Sequence, residues 1–405
     1  MRRRSWGLTL VMVLGASPAR ALENGLARTP PMGWNGQNKF GCNVSDELVR
    51  KMAYALIATG MRDAGYVYVN LDDCWHGERD QNGYLQPDKA RFPRGMEDLA
   101  DFLHRKGLKL GIHSNAGTKT CSKRPGSLGH EAKDAEQFAN WGVDYVKHDW
   151  CNTEGLDAEK AYATMRDALV KTQRPMVFSI SDWGTNQPWT WAAPVANLWR
   201  TTGDVGVCWE KPACQEPWET GVMNVLDLQV GLETYAGAGH FNDPDILQVG
   251  NGMSDVEDRA HFSLWALLAA PLLAGNDLTA MNAMTRETLT NREVIAVNQD
   301  ALGVQGSKVR DDGNEEVWVK PLRGGARAVV FLNRGRERVR IKVRFTELGF
   351  PTGPANVRNL WLKQDAGTFT DGYSEEVASH GVVMLRVTRA SPAELRKRNQ
   401  AGSSG

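Results

Sequence analysis

Between about residues 31 and 302 the chain alternates eight short apolar segments with stretches of amphipathic helical spacing, and this alternation constrains the fold more than any other feature. The apolar segments are Met32–Asn35, Val67–Leu71, Leu108–His113, Tyr145–His148, Met176–Ser181, Leu198–Thr202, Phe241–Ile246 and Leu272–Gly275. Helical patterns such as Asp46–Thr59, Met96–Lys106, Ala132–Trp141, Ala158–Thr172 and Val256–Ala269 separate them. Eight strands with intervening helices over this length are the pattern of a (β/α)8 TIM barrel. A doubly wound sheet is the rival, but no glycine-rich phosphate turn follows the first strand. After about Gly303 the texture changes to short alternating segments: Val317–Pro321, Arg327–Leu332, Val339–Phe345, Val357–Trp361 and Gly381–Val387. Gly, Asn and Asp turns divide them. The reading is an α/β barrel over residues 22–303, followed by an antiparallel β-sandwich over 304–390.

Most of the barrel segments start apolar and end in Asn35, Asp72-Asp73, His113-Ser114-Asn115, Asp149, Ser181-Asp182, Asp204, or Asp243 and Asp245. A barrel builds its site at these C-terminal ends. A lone Asp there is most often a helix N-cap, but capping does not account for Lys147 and Arg200 inside the strands. Side chains alternate along a strand, so Tyr145, Lys147 and Asp149 share a face. A cation beside Asp149 holds that carboxylate ionised, as a nucleophile requires. By the same rule Arg200 and Thr202 share a face with Asp204, and Arg200 is assigned to sugar hydroxyls. Two carboxylates delivered by separate strands to one mouth are what a retaining glycosidase needs: one attacks, the other protonates the leaving oxygen and then activates water. Asp72 and Asp73 both reach the mouth if the backbone turns there, and carboxylates suit vicinal hydroxyls. The metal alternative is Asp72 and Asp73 with His113 and His148, although nothing in their spacing demands it.

With 48 basic and 48 acidic residues the net charge is zero, so neither nucleic acid nor an anionic membrane is expected as a partner. Residues 1–21 read as a signal peptide: a basic Arg2-Arg3-Arg4, an apolar Trp6 to Ala16 and an Ala19-Arg20-Ala21 cleavage site. That core is too short to span a bilayer. An exported chain, secreted or periplasmic, is therefore expected to start near Leu22. Its six Cys then read as disulfides, with fifteen connectivities open. Cys208 and Cys214 could close a short loop locally, and no spacing resembles a zinc site. Residues 391–405, charged and then rich in Gly and Ser, are expected to be a disordered tail.

Several motifs occur in order along the chain: Gly25-Leu-Ala-Arg-Thr-Pro-Pro-Met-Gly-Trp-Asn35, Asn70-Leu-Asp-Asp-Cys-Trp75, Thr120-Cys-Ser-Lys123, Pro125-Gly-Ser-Leu-Gly-His130, Asn242-Asp-Pro-Asp245, Ala270-Pro-Leu-Leu273 and Val297-Asn-Gln-Asp300. Through them nearly the whole chain resembles glycoside hydrolase family 27. The resemblance implies a retaining α-galactosidase acting on an α-galactoside and needing no metal or organic cofactor. Asp149 matches the family nucleophile and Asp204 the acid/base. Trp34, Asp72, Asp73, Lys147, Arg200 and Asp245 match positions that grip the galactosyl unit, with His113, Cys121, Ser181 and Trp183 beside them. Cys42–Cys74 and Cys121–Cys151 match the family's disulfides, which leaves Cys208–Cys214 as an extra loop on the leaving-group side.

The chain departs from the family at several points. Relatives often carry Tyr-Ser-Asp where it has His113-Ser114-Asn115, K-Y-D where it has Lys147-His148-Asp149, and W-N-S-W where it has Trp34-Asn35-Gly36-Gln37. Ser181 stands for a Cys near the sugar's 2-position, and Phe241 and Ile246 flank Asn242-Asp-Pro-Asp245 in place of Trp and Met. None of these changes removes a carboxylate of the pair. Two relatives are alternatives, an α-N-acetylgalactosaminidase and a β-L-arabinopyranosidase. Trp183 would crowd an acetamido group, and the Asp72-Asp73 pair favours a 6-hydroxyl, so galactose is expected. A non-catalytic carbohydrate-binding protein would be expected to have lost one carboxylate.

Overall fold

The structure is a computed structural model that describes Leu22 and residues 24–390. The expected leader over 1–21 and tail over 391–405 lie outside the described residues. All eight expected segments are strands: β1 (Met32–Asn35), β2 (Tyr68–Asn70), β3 (Lys109–Asn115), β4 (Tyr145–Asp149), β5 (Val177–Ser181), β6 (Leu198–Arg200), β7 (Phe241–Asp243) and β8 (Leu272–Ala274). They form one curled sheet in the order β8-β1-β2-β3-β4-β5-β6-β7, with every pairing parallel. The gap between β7 and β8 closes one step further on. There Leu247 bridges Ala274, its N–H donating to Leu273 O at 2.8 Å. Between β7 and this bridge Asp245 takes φ 86°, a left-handed conformation that costs a non-glycine residue energy and is typical of constrained sites.

Alternation along these strands sorts the interior into layers. Val146, Phe178, Ile180 and Trp199 point outward into the core shared with the helices. Tyr68, Tyr145, Val177, Leu198 and Phe241 point inward and fill the lower barrel, with the Tyr68 and Tyr145 rings edge to face at 5.6 Å. Above this apolar plug the inward positions become charged. In the wall, a Cβ on Gly33 would lie 2.2 Å from Tyr68 O, so only glycine lets β1 and β2 approach this closely.

A six-stranded antiparallel sheet follows, ordered Ser307–Asp311, Glu315–Pro321, Arg327–Asn333, Val382–Arg389, Ala355–Asn359, Gln364–Phe369. With the ribbon Val339–Arg344/Gly372–Val377 it encloses a core that includes Val317, Phe331, Ile341, Val343 and Leu385. The five expected segments are all strands. Ser307–Asp311, Gln364–Phe369 and Gly372–Val377 were not anticipated, nor was the hairpin His76–Arg79/Leu85–Pro87 after β2. These strands are short and largely solvent-facing, so they lack the apolar alternation that marks a half-buried strand.

Helix Asp255–Leu267 joins the two parts. Ser254 and Glu257 form a capping box at its start. Every residue from Ala260 to Leu267 is buried, because the barrel covers one side and the large antiparallel sheet the other. Trp361 Nε1 donates to Ser263 Oγ at 2.9 Å across this junction. Three disulfides are present, Cys42–Cys74, Cys121–Cys151 and Cys208–Cys214. Among the described residues no helix is long and apolar enough to cross a membrane.

Candidate active site

Strand β4 delivers the centre of the site. Tyr145 belongs to the apolar plug, Lys147 lies above it, and Asp149 lies at the rim, all on the inward face. Outward-facing His148 instead packs between Tyr162 and Phe178. Burial pushes His148 down to about 3, so it is neutral and remote from any metal set with Asp72 and Asp73.

Lys147 Nζ lies 2.9 Å from Asp72 Oδ2 and 3.3 Å from Asp149 Oδ1. His113 Nε2 lies 3.0 Å from Asp149 Oδ2. Burial alone would raise the Asp149 carboxyl, but Lys147 and His113 outweigh it and hold it well below the usual carboxylate range. Asp72 is lowered in the same way: burial is opposed by Lys147 and His113, and Asn35 Nδ2 donates to its Oδ2 at 2.7 Å. Asp73 Oδ2 accepts from Ser122 N at 2.9 Å, and its Oδ1 accepts from Cys74 N.

Beyond β6 the second carboxylate stands in the open. Asp204 Oδ1 accepts from Arg200 Nη2 at 3.0 Å and from Trp183 Nε1 at 3.1 Å. Both donors meet the same oxygen, Oδ1. Arg200 also donates from Nη2 to Thr202 O, and its Nη1 lies 3.0 Å from Asp245 Oδ1. The guanidinium expected to bind sugar hydroxyls also ties Asp204 to Asp245. Burial pushes Asp245 up to about 6, with Arg200 opposing and Asp204 and Asp243 adding to the rise. The Asp204 carbonyl accepts from Thr220 N at 2.8 Å, so the Cys208–Cys214 loop hangs beside the acid/base candidate.

These groups line one cleft of about 140 Å³ that includes Asp72, Asp73, Cys121, Lys147, Asp149, Ser181, Trp183, Arg200, Asp204 and Asp245. Trp34 and His113 do not line it. On β1 the inward positions are Gly33 and Asn35, so Trp34 points outward, is 1% exposed and donates from Nε1 to Asn276 O at 2.9 Å. Asn35 occupies the lining instead. His113 faces inward but lies beneath Asp149, at 0% exposure. Sequence reasoning missed Ser179 and Leu273 as lining residues, while Asp243, placed at a strand end, is one of them. Ser179 was within reach, because it shares an inward face with Ser181.

Among the described residues two groups of buried side chains have donors close enough to hold a cation: Asp73, His76 and His113, and Asp72, His113 and Asp149. The carboxylates of both groups already face Lys147, His113 or backbone amides.

The profile of the family described as "Alpha galactosidase A" matches residues 29–300, and that of "Alpha galactosidase C-terminal beta sandwich domain" matches 312–387. This chain belongs to glycoside hydrolase family 27. Within the family it is 49% identical to the alpha-galactosidase A of Cellvibrio japonicus over 394 residues, which cover 94% of this chain and 97% of that protein. The crystal structure of alpha-galactosidase I from Mortierella vinacea superposes with a TM-score of 0.87 at 37% identity, covering 91% and 99% of the two chains. An alpha-galactosidase from Saccharomyces cerevisiae solved with raffinose superposes with a TM-score of 0.86 at 30% identity, covering 91% and 99%. The protein is a glycoside hydrolase with a TIM barrel and a C-terminal β-sandwich.

Proposed function

We propose that this protein is an exported α-galactosidase that removes terminal α-linked galactose by double displacement. Asp149 attacks the anomeric carbon while Asp204 protonates the departing oxygen. Asp204 then takes a proton from the water that releases galactose. The observation that carries the reading is the contrast between the two carboxylates. Asp149 is enclosed, with the Lys147 ammonium 3.3 Å from its Oδ1 and His113 Nε2 3.0 Å from its Oδ2, which suits an ionised nucleophile. Asp204 is half exposed on the loop side, where a leaving group departs and water enters.

Asp72 and Asp73, each with lone pairs facing the cleft, would accept hydrogen bonds from the 4- and 6-hydroxyls. Ser181 and Trp183 flank the 2-position. The raffinose bound to the yeast relative supports a sugar-linked galactoside as the substrate class. Residues 1–21 supply the export signal, and the three disulfides fit an oxidising compartment.

The test is hydrolysis of p-nitrophenyl α-galactoside beside the α-N-acetylgalactosaminide and the β-L-arabinopyranoside, with the released anomer followed by NMR. Preference for the galactoside, with α-galactose appearing first, is the expected result. Preference for another glycone would overturn the substrate assignment, and β-galactose appearing first would overturn the double displacement.

A further inference from the structure

The cleft floor beneath Asp149 holds more negative charge than Lys147 can balance. Asp72, Asp73 and Asp149 are all buried and close together, and Lys147 contacts only Asp72 and Asp149. Arg200 and Asp243 act on Lys147 from its other side, and three histidines lie around the cluster. His148, on the outward face of β4, is neutral. His76, on the hairpin after β2, lies 3.6 Å from Asp73 Oδ1. Burial, with His113 and then Arg124 adding to it, keeps His76 uncharged. His113 alone faces all three carboxylates. Burial opposes its charge, but Asp149, Asp72 and Asp73 together raise its affinity for the proton above that of a free imidazole.

The ring of His113 is held in place from several sides. Its strand neighbour across the register is Lys147. The His76 ring meets it edge to face at 5.5 Å. Trp75 Nε1 donates to its backbone carbonyl at 2.9 Å. It has no exposed surface and does not line the cleft, so it cannot be reached by a bound sugar.

We propose that His113 is a positioning residue for the nucleophile: as a buried imidazolium under Asp149 it holds Oδ2 and supplies the second cation that keeps this carboxylate ionised in acid. This rests on Asp149 being the attacking group. It assigns to the chain's own His113-Ser114-Asn115 sequence an effect that a neutral tyrosine at the same place would not have. The operating range extends to lower pH, because the proton stays on His113 and off Asp149.

The experiment compares wild type with His113→Gln and His113→Tyr, reading kcat/KM for p-nitrophenyl α-galactoside from pH 3 to 8 with folding followed by circular dichroism at each pH. Gln keeps an N–H donor and loses the charge. The expected result is that kcat/KM near neutral pH falls by less than about tenfold in His113→Gln, while its acid limb moves up by on the order of one pH unit. His113→Tyr moves the limb in the same direction, so one folded variant is enough. An acid limb that stays at the wild-type position in both variants overturns the proposal. Inactive wild type would instead sink the α-galactosidase reading. In that case a titration of 15N-labelled imidazoles decides separately, since the resonance lost in His113→Gln must show a protonated ring at neutral pH, and a neutral ring refutes it.

Discussion

Asp149 and Asp204 line one cleft at opposite extremes of solvent access, the first side chain 7% exposed and the second 51%. In the proposed double displacement one group must stay ionised and the other must exchange a proton with leaving oxygen and water, and this separation suits both. Asp149→Ala is expected to fold and to lose nearly all turnover on every substrate. Asp204→Ala is expected to lose ~10²–10⁴-fold on an oligosaccharide. It should keep a substantial glycosylation rate on an activated aryl galactoside, whose leaving group needs no proton. Steady-state and burst kinetics on both substrates check this, and equal, unrescued losses would reverse the assignment.

Lys147 contacts Asp72 and Asp149 together, so on the proposed roles removing its charge should disturb both substrate grip and nucleophile. The Asp149 carboxyl, now held low, should rise in Lys147→Met. The nucleophile then protonates at higher pH, and activity is lost earlier on acidification. The same linkage acts on stability: a depressed carboxyl contributes stability above its unfolded value and loses it as pH falls through the folded one. A pH profile of kcat/KM, with thermal melts at pH 3 and 7, tests both effects. An unmoved acid limb would contradict the ion pair's role.

Lys320 is completely buried at the junction of barrel and sandwich, with Ala266 O at 3.4 Å as its hydrogen-bond acceptor. Burial pushes its ammonium from 10.5 down to about 7, with Asp300 opposing weakly. The unfolded chain therefore binds this proton more readily between those limits, and wild-type stability should rise with pH across that window. Lys320→Met is expected to raise Tm most at pH 6 and least towards pH 10. Melting curves that run parallel in wild type and variant would show that the lysine is not titrating there.

Gly33 makes room for the β2 backbone rather than for a flexible side chain. Gly33→Ala must push β1 from β2, at a cost of about 1–3 kcal/mol by analogy with overpacked cores. The barrel mouth would shift with it, through Asn35 and its bond to Asp72. Urea unfolding and galactose affinity should both suffer. A stable variant with weakened binding alone would place the effect in the cleft.

The barrel strands were legible because each is apolar and bounded by turns, and the inward face of β4 followed from alternation alone. Alternation applied equally to β1 would have put Asn35 in the mouth and Trp34 behind it; the family motif drew attention to the larger residue. Arg200 shows another limit. Its placement beside Asp204 was readable, but its bond to Asp245 depends on the turn after β7, where φ is 86°. The burial of His113 under Asp149 has no local signal either, since it arises from three strands meeting in space. The edge strands of the sandwich were invisible for the opposite reason, having too little burial to leave a pattern.

Helix Asp255–Leu267 has no face turned to water over its second half. Its side chains serve as floor for one domain and wall for the other, so the catalytic unit cannot be cut free at the end of the barrel. A gene fragment ending there would strip a wide greasy surface bare, and the remaining chain would be prone to clump before any chemistry could be measured. The two parts are separable in a diagram, but a barrel made alone would need another cover for this helix.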